Sequence, residues 1–263
     1  MIHITNTKEI FSPQNNWLWL TSAFKAGFIN SAGFLATGKF VSHVTGFGTQ
    51  VGIALGHEKY FFGLELLIIP IAFIGGGVIT SYMLDKKLPE GETPQYHMVQ
   101  ALITILIGLL ILIGESGLVD SGSRFDADEN YNIIEFGIIG LMCFICGLKN
   151  SLVTWSTYGK IRVTHLTGLS TDIGLHLIRT FKPERPGNRF SEERIVNITR
   201  ILTFAFFSLG ATACAIIFPI IGFKCFLIVM VISMLMTFVS FIDYHKLKIK
   251  QFSKKSDSKT ALA

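Results

Sequence analysis

Long apolar runs separated by short polar connections dominate the chain. A helix that crosses a bilayer needs about 20 mostly apolar residues. Six windows meet that length: 17–37, 60–84, 98–118, 133–155, 197–221 and 223–243. The first, "WLWLTSAFKAGFINSAGFLAT", is the least apolar and opens on Trp17 and Trp19, residues suited to a membrane interface. The pattern predicts an all-α polytopic membrane protein with about six transmembrane helices in a single membrane domain over 1–263, the last stretch, 244–263, being a basic cytoplasmic tail.

The connections carry the orientation signal, because Lys and Arg accumulate on the cytoplasmic side. The 119–132 connection, "VDSGSRFDADENYN", has one Arg and four acids. The 178–196 connection holds Arg179, Lys182, Arg185, Arg189 and Arg194, and the 85–96 connection holds Lys86 and Lys87. The tail adds Lys246, Lys248, Lys250, Lys254, Lys255 and Lys259. These charges place both termini inside and the acidic 119–132 loop outside. Lys39 and Lys59, in the outer first connection, weigh mildly against it. The localisation expected is a bacterial inner membrane, crossed several times.

One sentence of the sequence occurs twice. Residues 41–55 read "VSHVTGFGTQVGIAL" and residues 163–177 read "VTHLTGLSTDIGLHL". His43/His165, Thr45/Thr167, Gly46/Gly168, Thr49/Thr171 and Gly52/Gly174 are among the identities. Upstream, "GFINS" (27–31) aligns with "GLKNS" (147–151), which sets Asn30 against Asn150. Downstream, the "GGG" of 75–77 falls roughly where "LGATA" (209–213) falls. The chain therefore reads as two repeats, about 17–118 and about 133–243. Each repeat has three spans plus one copy of a [ST]-H-x-T-G segment. Three is odd, so the repeats are expected to be inverted in the membrane, as in many secondary transporters.

The repeated segment has room for about 13 helical residues, roughly 20 Å, which is two-thirds of a bilayer core. It reads as a short re-entrant or broken helix. Thr-Gly would cap its start, and Asp172 in the first turn would suit the positive end of the helix dipole. Two such helices entering from opposite faces would bring their N-termini together near the midplane, with free N–H groups ready for an anion. The plainer alternative is an amphipathic connector lying flat in the interface.

Composition agrees with a membrane class: 50% of residues are hydrophobic and 16% charged, against about 25% charged in ordinary soluble chains. Cys143, Cys146, Cys214 and Cys225 all lie in apolar runs and read as packing residues. Residues 1–16 are polar and lack a basic stretch leading to a small-residue cleavage site, so no signal peptide is expected.

"FVSHVTGFGTQVGIALG", followed by "GLKNSLVTW" and "VTHLTGLSTDIGLHLIR", resembles the YoaK-like family of bacterial inner-membrane proteins, a family catalogued as a domain of unknown function. The resemblance covers roughly 20–243. It implies a small bacterial membrane protein of about six spans and brings no substrate or activity. Members commonly carry Asn directly after the first Thr-Gly; Phe47 stands there in this chain.

The candidate substrate-binding residues are Lys25, Asn30, His43, Thr45, Gly46, Thr49, Asn150, His165, Thr167, Gly168, Thr171 and Asp172. Lys25 sits eight residues into the first window. A charge at that depth is either functional or snorkels to the interface. Lys149, near the inner end of the fourth window, reads as snorkelling, and Glu65 reads as interfacial. The histidines titrate near neutral pH and suit a proton relay or a substrate contact. Two histidines without carboxylates make a poor metal site, so no metal and no cofactor are expected. Asn30 and Asn150 also fit the commoner role of buried amides, joining helices. Gly77 and Ser81 stand at small-xxx-small spacing, which allows close packing within one chain or in a homo-oligomer. The lysine tail suits anionic lipid headgroups, and no nucleic-acid partner is expected.

Three function classes follow. The leading one is a secondary transporter or channel for a small solute or ion. The helix N-termini, Lys25 and the histidines lean towards an anion; Asp172 leans towards a cation or a proton. The second class is a non-transporting scaffold or regulatory partner. The third, an intramembrane enzyme, finds little support: His57-Glu58 opens like a zinc-protease motif, but Phe61 occupies the place of the second His. The chain carries no Walker motif, so transport would be passive, ion-coupled or driven by a partner.

Overall fold

A computed structural model describes residues 10–85, 94–117, 133–181 and 190–260. The acidic 119–132 loop, Lys86, Lys87, Lys182, Arg185 and Arg189 lie outside the described residues, as do the side chains of Glu65 and of the tail beyond Ile249.

All the regular structure among the described residues is helical. In chain order the helices are α1 (Pro13–Thr37), α2 (Val44–Gly56), α3 (Tyr60–Asp85), α4 (Tyr96–Glu115), α5 (Ile133–Ser156), α6 (Leu166–Phe181), α7 (Phe190–Ile221) and α8 (Phe226–Thr260). A single 3₁₀ turn, Gly222–Cys225, joins the last two. Both ends of α1 have a local cause. Pro13 opens α1, where its missing N–H costs nothing. Gly38, at φ 69°, closes α1 in the left-handed region and donates its N–H to the Phe34 carbonyl at 2.8 Å.

Four helical stretches are long and apolar enough to cross a membrane: Tyr60–Asp85, Tyr96–Glu115, Phe136–Ser156 and the 58-residue stretch Glu192–Ile249, which contains α7, the 3₁₀ turn and most of α8. Within α5 72% of that apolar window is buried, against 24% in α3, so α5 is central and α3 peripheral. α1 shares the centre: Ala23, Ala26, Phe28, Ile29 and Ala32 are wholly buried. On the outer helices Phe61, Leu112, Ile220 and Phe238 stand exposed. Such a surface is a liability in water and ordinary against lipid. These features are those of a multi-pass membrane protein.

The helices pack in a reciprocal pattern: α1 lies against α7, α3 against α5, α2 against α3, α6 against α7, and α4 against α8. Contacts along each pair give its direction. Ile68 meets Gly140, Gly77 meets Ser151, and Asp85 accepts a bond from the Trp155 indole N–H at 2.8 Å, so α3 and α5 run parallel. His97 packs on Phe241, the Thr104 and Thr237 hydroxyls lie 3.5 Å apart, and Glu115 pairs with Lys224 at 3.4 Å, so α4 and α8 run antiparallel.

Four glycines let these pairs close. A Cβ added to Gly27 would strike the Phe207 carbonyl, and one on Gly210 would strike the Phe24 carbonyl. The other pair repeats this: Gly76 faces the Phe144 carbonyl and Gly147 faces the Phe73 carbonyl. Each glycine is the fourth residue of an F-x-x-G run, namely "FKAG" (24–27), "FIGG" (73–76), "FICG" (144–147) and "FSLG" (207–210). Helices that lack a hydrophobic drive to associate rely on such backbone proximity. The aligned "GGG" and "LGATA" of the sequence thus have one job, at equivalent crossings.

Candidate functional site

At the centre, α1 and α5 bring two lysines together. Lys25, the middle residue of α1, is 0% exposed, and its Nζ donates to Ser233 Oγ on α8 at 2.7 Å. Lys149 on α5 is 1% exposed, and its Nζ makes no hydrogen bond. The two amino groups lie within electrostatic reach of one another, on helices that also meet where Gly33 of α1 faces Met142 of α5. The pairs Arg179–Glu193, Arg200–Asp172 and Lys224–Glu115 involve neither lysine, and no carboxylate among the described residues pairs with Lys25 or Lys149. This corrects the snorkelling reading of Lys149. Its side chain ends among packed helices because α5 is enclosed on most sides at this level, where Cys146, Leu148 and Asn150 are buried as well.

The duplicated Asn residues hold the chain just before each repeated helix. Asn30 Oδ1 accepts from the Ser42 N–H at 3.1 Å and from the Ser42 hydroxyl at 2.8 Å. Asn150 Oδ1 accepts from the Thr164 N–H at 3.4 Å, while the buried Thr164 hydroxyl finds no partner. Ser42 and Thr164 are the aligned first residues of S/T-H-x-T-G. Both amides therefore tie a buried peptide to a central helix, close to the joining role and away from the lysines' bonds.

The repeated helices begin earlier than the Thr-Gly reading places them. His43 is the N-cap of α2 and makes no side-chain cap bond. Thr45 and Thr167 lie inside the first turns, where their carbonyls accept the hydroxyls of Thr49 at 3.3 Å and Thr171 at 3.2 Å. Thr45, Gly46, Thr49, Thr167, Gly168 and Thr171 are all exposed, and a Cβ on Gly46 or Gly168 would meet nothing within 4 Å. α2 packs on α3 and α6 on α7. The structure does not bring the two Thr-Gly pairs to one central point. The sequence predicts two short helices there, and both form; Phe47 and Ala54 are the buried apolar residues of α2 and Leu169 that of α6, while Ile53, Leu175 and Ile178 face outward with the Thr-Gly residues.

The histidines differ despite their alignment. His43 meets Phe40 edge to face, with ring centroids 5.0 Å apart. His165 stacks on Phe73 of α3 at 6.0 Å. His165 is partly buried, and burial, followed by the charge of Arg162, holds its pKa below the usual imidazole value.

Asp172 falls in the second turn of α6, beyond the reach of the N-terminal N–H groups. It pairs instead with Arg200 of α7 at 3.2 Å. Arg200 also approaches His176 Nδ1 at 3.4 Å, and Asn197 donates to Thr180 Oγ1 at 2.7 Å. The first repeat has Gln50, Ala54 and Leu66 where this cluster has Asp172, His176 and Arg200, so the polar seam between α6 and α7 belongs to the second repeat alone. Sequence reasoning missed Arg200 and Ser233, and it read Lys149 as a snorkelling residue. A lone Arg inside the apolar run "NITRILTF" was the available signal for the first.

Long apolar helices with apolar side chains turned outward give the chain the character of a multi-pass membrane protein. The chain belongs to the family described as "Protein of unknown function (DUF1275)", whose model matches residues 18–239. No curated protein and no solved structure matches it.

Proposed function

We propose that this protein, a YoaK-like member of its family, is a secondary transporter or channel for a small solute in a bacterial inner membrane, built from six spans in two inverted repeats. The carrying observation is the direction of the helices. α3 runs parallel to α5, and α4 runs antiparallel to α8. The α5 end at Trp155 also packs on the α4 start at Tyr96, at 5.7 Å, so those two run antiparallel. On α8, Ser233 and Phe226 meet Lys25 and Phe28 of α1, again antiparallel. Corresponding helices of the two repeats thus point opposite ways, the arrangement on which alternating access is commonly built.

In this reading α1 is the first span, although it is less apolar than the other five. The repeated helices α2 and α6 close the two opposite ends of the bundle as short, non-spanning segments. Both termini face the cytoplasm, by the charge bias of the connections. The basic tail lies near anionic headgroups.

The topology is tested by single cysteines at Ser116, after α4, and at Tyr158, after α5, in a variant lacking the four native cysteines. The expected outcome is labelling by a membrane-impermeant reagent from opposite faces. Labelling of both from one face would remove the inverted arrangement. The activity is tested by solute flux into proteoliposomes, screened over small organic and inorganic ions at matched protein amounts. A protein that moves none of them, yet co-purifies with one partner in constant ratio, would favour the scaffold reading.

A further inference from the structure

Lys25 and Lys149 are the only charged side chains that the described structure buries completely. Among the described residues neither has an acid to neutralise it, and like charges on the two would oppose one another. An ammonium carries three donors. Lys25 uses one, on Ser233, and Lys149 uses none. Leaving an uncompensated charge among packed helices costs several kcal/mol. Surface lysines escape by reaching water; these two do not, because the α1–α7 and α3–α5 crossings pin the helices that carry them.

We infer that Lys25, Lys149 and the Ser233 hydroxyl form a binding site for a small inorganic or carboxylate anion at the centre of the bundle. The proposal rests on the transport reading only for its purpose; the site stands or falls by itself. The roles divide by geometry. Lys25 is already fixed by its bond to Ser233, so it is the preorganised half of the site. Lys149 holds three unused donors, so it is the half that closes on the ligand. The anion supplies the negative charge that the helices withhold, and its oxygens or its halide surface accept the N–H donors. Phe28 and Ile29 on the helix that carries Lys25, Leu148 beside Lys149, and Phe226 on the helix that carries Ser233 are all wholly buried. That favours a ligand of a few atoms over a nucleotide or a lipid headgroup.

The test uses the purified full-length protein in detergent. Unfolding temperature is followed while sodium chloride, nitrate, formate, phosphate or sulfate replaces sodium gluconate at constant ionic strength. The expected result is a saturable rise with at least one small anion. Lys25→Met and Lys149→Met should each weaken its half-saturation at least about tenfold, the size of one lost charged contact. Lys149→Gln serves if the Met variant does not fold, and each variant's unfolding temperature in gluconate reports its fold. A wild-type protein indifferent to all five anions overturns the site, as does a Lys149 variant that keeps the wild-type response. Binding without flux in proteoliposomes would leave the site standing and remove the transport reading. Flux without any anion response would do the reverse.

Discussion

At the residue scale, the two aligned asparagines give a direct comparison. Asn30 accepts two hydrogen bonds from Ser42, at 3.1 and 2.8 Å, while Asn150 accepts one long bond from Thr164 at 3.4 Å. Leaving a buried donor without a partner costs about 1–3 kcal/mol. Asn30→Ala should therefore destabilise the protein by about 2 kcal/mol and Asn150→Ala by less than half of that. Thermal or denaturant unfolding of the two variants checks the ordering. Equal losses would mean that the amides serve something other than the peptide ahead of each repeated helix. The histidines teach the same lesson about alignment. Identical letters, His43 and His165, meet different neighbours, because Phe40 is local to its own loop while Phe73 comes from another helix.

At the scale of elements, glycine separates two kinds of contact. Gly27, Gly76, Gly147 and Gly210 face backbone carbonyls of the partner helix, and backbone has no room to yield. Alanine at any of the four should cost about 1–3 kcal/mol, as overpacked interiors do. Gly108 is the control, since its added Cβ would only touch Met230 at 3.8 Å. Gly46→Ala and Gly168→Ala should be neutral or stabilising by up to about 1 kcal/mol, because alanine favours helix and the space is open. Unfolding of this series measures both effects at once. Should Gly46→Ala or Gly168→Ala abolish flux while keeping its stability, the exposed Thr-Gly face meets a ligand or a moving helix during transport. Loss of stability in those two variants would instead mean that the face is packed in the membrane.

At the scale of the whole molecule, the two repeats are interlocked. α1 of the first repeat finds its principal partner in α7 of the second, and α3 of the first finds its partner in α5. Neither repeat keeps its main contacts alone, so neither is expected to fold as a separate unit. The α4–α8 seam joins the halves where Thr104 and Thr237 approach to 3.5 Å. A Thr104→Cys/Thr237→Cys pair, in a background without native cysteines, should form a disulfide under mild oxidation. The check is an electrophoretic comparison of oxidised and reduced protein cleaved between 182 and 189. If the halves separate without reductant, the antiparallel seam is wrong, and with it the proposed inversion.

Sequence alone determined the helices and the repeat, because both are written in local patterns. Apolar runs of bilayer length mark the long helices, and the short Thr-Gly segments mark breaks between them. A duplicated phrase survives in one dimension whatever it packs against. The F-x-x-G runs were legible too, but only as small-residue tracts; which carbonyl each glycine faces depends on the crossing of helices far apart in the chain. Tertiary structure decided the rest. Burial of Lys149 is set by the angular position of one α5 face against α1, and Asp172 was claimed by Arg200, 28 positions away. The Thr-Gly faces turned outward while Phe47, Ala54 and Leu169 took the buried side, although Ile53, Leu55, Leu175 and Ile178 of the same helices stay exposed; packing on α3 and α7, not apolarity alone, chose the face. Which side of a helix meets which neighbour is a long-range outcome, and a charge's environment follows from it.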